Sequence, residues 1–127
     1  MAIDIRDLRF GDKVQYEDKV IEVDQILFRG AIATKYGLAV QISDLNPIPI
    51  TKELILSMGF KEDLVVSDDY IVYGLTLENG FISLLKQDDD VWSVIIEDEK
   101  HMSLGDMYVD SLNKLQHFVW DCLNQEI

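Results

Sequence analysis

Asn46-Pro47-Ile48-Pro49-Ile50-Thr51-Lys52-Glu53-Leu54-Ile55-Leu56-Ser57-Met58-Gly59-Phe60 divides the chain and holds its best-specified local unit. Each proline removes a backbone donor and pushes the residue before it into extended geometry, so a strand that arrives here ends here. Thr51 offers the hydroxyl of an N-cap, Ile50 is placed to staple onto Ile55, and Gly59 suits the left-handed position that stops a helix. The stretch predicts a boundary followed by a short capped helix, with Phe60 folding back on Leu54 or Ile55.

Upstream, the chain reads as short strands. Lys13-Val14-Gln15-Tyr16-Glu17 alternates apolar and polar residues, Asp18-Lys19 turns, and Val20-Ile21-Glu22-Val23-Asp24-Gln25-Ile26 resumes the alternation, the pattern of a β-hairpin. Gly11-Asp12, Arg29-Gly30 and Gly37 punctuate the region, the last between 31–36 and 38–42. Four short strands with small turns predict a curved, SH3-like sheet or partial barrel.

Downstream, strand signals return at 64–66, 70–77, 81–86 and 91–97. Asn79-Gly80 supplies the dihedrals of a two-residue hairpin, and Asp88-Asp89-Asp90 a strongly solvated turn, so an antiparallel meander is expected. Tyr108, Leu112, Leu115, Val119 and Cys122 then fall on one stripe at helical spacing, widened by Val109 and Leu123. The final segment should be a helix lying across the meander. The fold class is therefore α+β, with an N-terminal β lobe over 1–47 and a helix, meander and C-terminal helix lobe over 48–127, the two forming one compact unit.

At 127 residues the chain suits a single ordinary domain. One cysteine cannot form an internal disulfide, the N-terminus lacks the apolar core of a signal peptide, and no run approaches the roughly 20 apolar residues that span a bilayer. A cytoplasmic protein with no membrane role is expected. The net charge of −13 is uneven: residues 1–60 hold seven Lys or Arg against nine Asp or Glu, a net −2, whereas residues 61–127 hold four against fifteen, a net −11. Such a surface repels phosphate backbones, disfavouring direct nucleic-acid binding and favouring a protein partner with a basic surface.

Catalytic and metal chemistry find little support. His101 and His117 are the only histidines, and His117 and Cys122 are too poorly spaced to begin a zinc site. Cys122 reads as a buried, unliganded core thiol. Asp88-Asp89-Asp90 lacks the spacing, glycine and distant glutamate of a calcium loop. Ser103 stands near His101 without any nucleophile elbow, and the seven glycines are scattered singly rather than gathered in a phosphate loop. No cofactor is expected, and nothing supports an enzyme. Of the aromatics, Tyr16, Tyr36, Tyr70, Tyr73, Phe81, Trp92, Tyr108 and Phe118 read as core residues, whereas Trp120 lies beside the helical stripe and could face a partner.

Asp7-Leu8-Arg9-Phe10-Gly11-Asp12-Lys13-Val14, the stretch from Asn46 to Phe60, and Ser111-Leu112-Asn113-Lys114-Leu115-Gln116-His117-Phe118 together resemble a family of small proteins of gut-bacterial phages, prophages and mobile elements. Its members read LRIGN-x-V near the start, PIPLTEE-x-LLKFGF in the middle and L-x-x-L-x-x-x-Y/F in a final helix. Phe10-Gly11-Asp12 departs from the usual Ile-Gly-Asn. These motifs are structural and the family has no assigned activity, so the resemblance implies a phage or prophage origin and no chemistry.

The leading functional expectation is a non-enzymatic acidic interaction module that binds a basic host or phage protein. Its candidate interface is Trp120 with Asp88, Asp89, Asp90, Glu97, Asp98 and Glu99. The alternatives are peptide or nucleic-acid docking through the N-terminal lobe, motivated by Arg6, Arg9, Lys13, Lys19, Arg29 and Lys35, and an unrecognised small-ligand binder or hydrolase. Exposed strand edges and Trp120 also leave room for a homodimer.

Overall fold

The computed structural model describes residues 3, 8–27, 30–35, 37, 39–67, 70–87 and 91–127, following the backbone alone at 64–67 and 70. Among them are ten strands and two α-helices, an α+β architecture dominated by antiparallel sheet. Two units divide the chain: residues 1–48 with 111–114, and residues 49–110 with 115–127.

In the first unit, β1 (Lys13–Tyr16), β2 (Lys19–Ile26), β3 (Ala31–Thr34), β4 (Ala39–Gln41) and β5 (Leu45–Asn46) form one sheet in the order β4-β3-β2-β1-β5, curled into a half-barrel. The β1–β2 hairpin pairs Lys13 with Glu22 and Tyr16 with Lys19, so its turn is Glu17-Asp18 rather than Asp18-Lys19. Glu17 adopts a positive φ there. The sheet has five strands where four were expected. A 3-10 turn, Ile42–Asp44, redirects the chain so that Leu45 returns beside Tyr16 and Asn46 beside Gln15. Two residues ahead of a proline are too few to display an alternation. Val14, Val23, Ile32, Val40, Ile42 and Leu45 bury together on one face with Leu8 and Ile3. Asp12 is buried without being stranded: its Oδ2 accepts from the Arg9 amide at 2.8 Å, and its carbonyl accepts from the Val23 amide at 2.9 Å.

In the second unit, α1 (Lys52–Ser57) forms as its sequence dictates. Thr51 Oγ1 accepts from the Leu54 amide at 3.1 Å, Gly59 takes φ +100°, and the Phe60 amide returns to the Ile55 carbonyl at 3.1 Å. This is the six-to-one bond of a glycine-terminated helix, and it buries Phe60. β6 (Lys61–Ser67), β7 (Tyr70–Thr76), β8 (Gly80–Lys86), β9 (Trp92–Asp98) and β10 (Ser103–Val109) follow as an up-and-down antiparallel sheet in the order β10-β9-β8-β7-β6.

The fifth of these strands overturns part of the expected helix. Tyr108 and Val109 belong to β10, opposite Ser93 and Trp92, and α2 runs only over Leu112–Leu123. An aromatic and a β-branched residue favour a pleated strand, and Asp110-Ser111 supplies the residue types that begin a helix, so Tyr108 matched the helical stripe by coincidence of spacing. Ser111–Lys114 group with the first unit. The rest of α2 covers its own sheet: Leu115, Val119 and Leu123 pack with Trp92, Val94 and Ile96 of β9 and Ile82 and Leu84 of β8. Gly105 permits a close approach on β10, since a Cβ there would stand 3.2 Å from Phe118 Cζ.

Candidate functional site

Strand alternation fixes what the second sheet shows on the face away from α2. Trp92, Val94 and Ile96 point into the core, so Ser93, Ile95 and Glu97 point outward. The register places Leu85, Ser83 and Phe81 of β8 beside those three residues on one side, and Tyr108, Asp106 and Ser103 of β10 on the other. The outer surface thus carries three cross-strand rows: Leu85-Ser93-Tyr108, Ser83-Ile95-Asp106 and Phe81-Glu97-Ser103.

Apolar and acidic groups share that surface. Tyr108 is 67% exposed and Ile95 is 44% exposed, and they sit diagonally across the β9–β10 pair, within mutual reach of one contact patch. Asp106 lies opposite Ile95, and Glu97 continues the β9 row. Single exposed apolar residues are ordinary; here a β-branched residue and a tyrosine adjoin on one sheet face with carboxylates beside them.

The end of this face is built by the β9–β10 turn. Asp98 Oδ1 accepts from the amides of Lys100 at 2.8 Å and Met102 at 3.0 Å, and the His101 amide donates to the Asp98 carbonyl at 3.0 Å. Those bonds hold His101 at φ +63°. Its ring lies flat on Phe81, with centroids 4.3 Å apart and planes 10° apart, and its Nδ1 stands 3.8 Å from Glu97 Oε1. Phe81, Glu97 and His101 consequently form a fixed corner rather than three independent side chains.

Among the described residues, Trp120 lies apart from Glu97, Asp98 and Glu99. Glu97, Asp98 and Glu99 gather at this corner, with Asp98 committed to the turn and Glu99 exposed. Trp120 is 45% exposed but lies on α2, in the layer against the opposite face of the sheet. Two residues along a helix amount to about 200°, so Trp120 also points away from Phe118 and its contact with β10. Asp88, Asp89 and Asp90 lie outside the described residues, as do Tyr36, Arg6, Arg29 and the Tyr70 side chain.

Ile95, Asp106 and Tyr108 were not singled out from the sequence as contact residues. The alternation through Trp92-Ser93-Val94-Ile95-Ile96 carried the signal for Ile95, because the residue between two inward positions must face out. Tyr73 and Trp92 are buried as expected, with ring centroids 5.9 Å apart, whereas Tyr108 is a surface residue. Cys122 is half-buried, and its thiol is pushed up from its ordinary value by burial and then by the Asp121 carboxylate. Among the described residues no cluster of three or more His, Cys, Asp or Glu is placed to hold a metal ion, and no helix is long and apolar enough to cross a membrane. Compared with protein-family models, curated proteins and solved structures, the chain matches none.

Proposed function

We propose that the chain is a non-enzymatic interaction module that binds a basic protein surface through the outer face of β8–β10. The observation that carries this reading is the pairing of exposed Ile95 and Tyr108 with Asp106 and Glu97 on one register-locked face. Apolar contact supplies affinity at the centre of such a face, and the carboxylates select a cationic partner and speed encounter with it. The −11 charge of residues 61–127 adds a long-range attraction to the same kind of partner.

A phage or prophage origin and a cytoplasmic setting complete the proposal; the resemblance of the three sequence motifs supports the first, and the single cysteine supports the second. The basic partner would then be a host or phage protein, with nucleic-acid-handling proteins as one source of such surfaces. The strand order β4-β3-β2-β1-β5, with a 3-10 turn before the closing strand, supports an SH3-like reading of the first unit.

The test is affinity capture with the purified chain from lysate of the natural host, repeated over a salt series and with an Ile95→Ser, Tyr108→Ser variant alongside. A stoichiometric basic partner that is lost both at high salt and from the variant is the expected result. A partner held equally by both proteins would place the contact surface elsewhere.

A further inference from the structure

Among the described residues no strand pairs beyond β6 or β10 in the second sheet, and only one of these two edges is guarded. β6 begins with Lys61-Glu62-Asp63, and its pairing with β7 slips twice, between Glu62 and Leu64 and again between Val65 and Ser67. Charges and bulges are the devices by which proteins stop an edge strand from recruiting another chain. β10, at the other edge, reads Ser103-Leu104-Gly105-Asp106-Met107-Tyr108-Val109: it has one charge and no proline. After one irregularity between Ser103 and Gly105, it runs in unbroken register with β9 from Gly105 to Val109. Half of its amide and carbonyl groups point along the sheet, away from β9, and among the described residues no strand lies on that side.

The sides of this edge are also apolar. Met107 lies opposite the fully buried Val94, on the helix-facing side, and yet is 41% exposed, so α2, which closes on β10 at Gly105 through Phe118, leaves Met107 uncovered. Tyr108 stands exposed on the outer face, and Leu104 and Met102 are exposed near its start. A strand laid against β10 would find apolar contact both above and below the sheet plane.

We propose that β10 is a docking edge, to which an extended basic segment of the partner adds as a sixth strand of the second sheet. This deepens the interaction reading above and rests on it. Charge chooses this occupant over a second copy of the chain. Two copies would bring −13 against −13 and set their Asp106 carboxylates close to one another, whereas a segment alternating lysine with β-branched residues meets Asp106, Glu97 and Glu99 with opposite charge. The backbone ladder supplies affinity and the alternate side chains supply selectivity.

The probe is an end-capped peptide of alternating lysine and valine, matched to the seven residues of β10. It is compared with two isomers N-methylated at either alternate set of backbone nitrogens. All three carry the same charge and side chains, but each isomer lacks one set of donors. Titrated into the full chain at low salt, the unmodified peptide should bind, one isomer should bind about tenfold or more weakly, and the other should retain most of the affinity. Alternate amides of Gly105–Val109 should exchange hydrogen more slowly in the complex.

Equal binding by both isomers, with no change at the β10 amides, would overturn the docking edge while leaving an acidic interaction surface intact. Absence of binding by every peptide at low salt would defeat the interaction reading as well. A free protein that is already dimeric, with those amides protected, would show that a second copy occupies the edge and would overturn the proposal from that side.

Discussion

The indole N–H of Trp92 donates to the carbonyl oxygen of Ile50 at 3.0 Å in a buried setting. One bond thus ties the start of β9 to the segment just ahead of α1, and the Trp92 ring packs on Tyr73 and beneath α2. Trp92→Phe keeps an aromatic body but leaves that carbonyl without its donor. It should cost about 2–4 kcal/mol, combining the unsatisfied carbonyl with lost volume, and would be measured by denaturant unfolding.

Gly80 and Gly30 should respond to the same change with the same sign but unequal size. A Cβ on Gly80 would collide with the Glu97 carbonyl oxygen and lie 2.8 Å from Leu123 Cδ2, so Gly80→Ala must displace the β9 backbone and should cost more than about 3 kcal/mol. Gly30 has φ +72° but open space around it, and Gly30→Ala should cost only about 1–2 kcal/mol. Paired thermal and denaturant unfolding of the two variants separates packing from backbone conformation.

Asn79 closes α2 from a distance. Its Nδ2 donates to the Leu123 carbonyl at 3.0 Å and its amide donates to Gln125 Oε1 at 3.1 Å, so the β7–β8 turn caps a helix end 44 residues later. Asn79→Ala should lower stability by about 1 kcal/mol, with the denaturant midpoint moving and the slope unchanged.

Much of the fold was legible, and the parts that were not have physical reasons. The unit from Ile50 to Phe60 could be read residue by residue because its signals are local: a hydroxyl cap, a glycine stop and a fold-back aromatic. The sequence points to Asn79-Gly80 as the turn pair, but the Leu77 amide donates to the Gly80 carbonyl, so Glu78-Asn79 make the turn and Gly80 opens β8. Gly80 has no positive φ, and its glycine is demanded by the Glu97 carbonyl, a neighbour 17 residues away that no local pattern reveals. The β10 strand was hidden because Tyr108 and Leu112 happen to be four residues apart, the spacing of a helix face. Losing β10 also lost the register that brings Tyr108 diagonally beside Ile95. The acidic corner was half visible: Glu97, Asp98 and Glu99 were found by charge, but Phe81 and His101 join them only through the β8–β9 pairing.

Cys122 gives a pH signature. Its raised thiol stays neutral at neutral pH, so alkylation should be slow there compared with an exposed cysteine, and Asp121→Asn should quicken it. The sign for stability follows from the same shift. Below the ordinary thiol value of 9.0 both folded and unfolded thiols are protonated and the contribution is full; as pH rises through the folded value the unfolded state ionises first and stability falls. Denaturant midpoints across that alkaline range, for the chain and for a Cys122→Ala variant, check it: the variant should lose this part of the alkaline decline.

The outer face of β8–β10 is tested most directly by calorimetric titration of a purified basic partner into the chain and into the Ile95→Ser, Tyr108→Ser variant, each at low and high salt. The variant should unfold within about 1 kcal/mol of the parent, since Tyr108 is largely exposed and Ile95 nearly half exposed, yet bind at least about tenfold more weakly, with affinity for the parent falling as salt rises. Equal affinities for the two proteins, or binding indifferent to salt, would contradict an apolar and acidic contact face on this sheet.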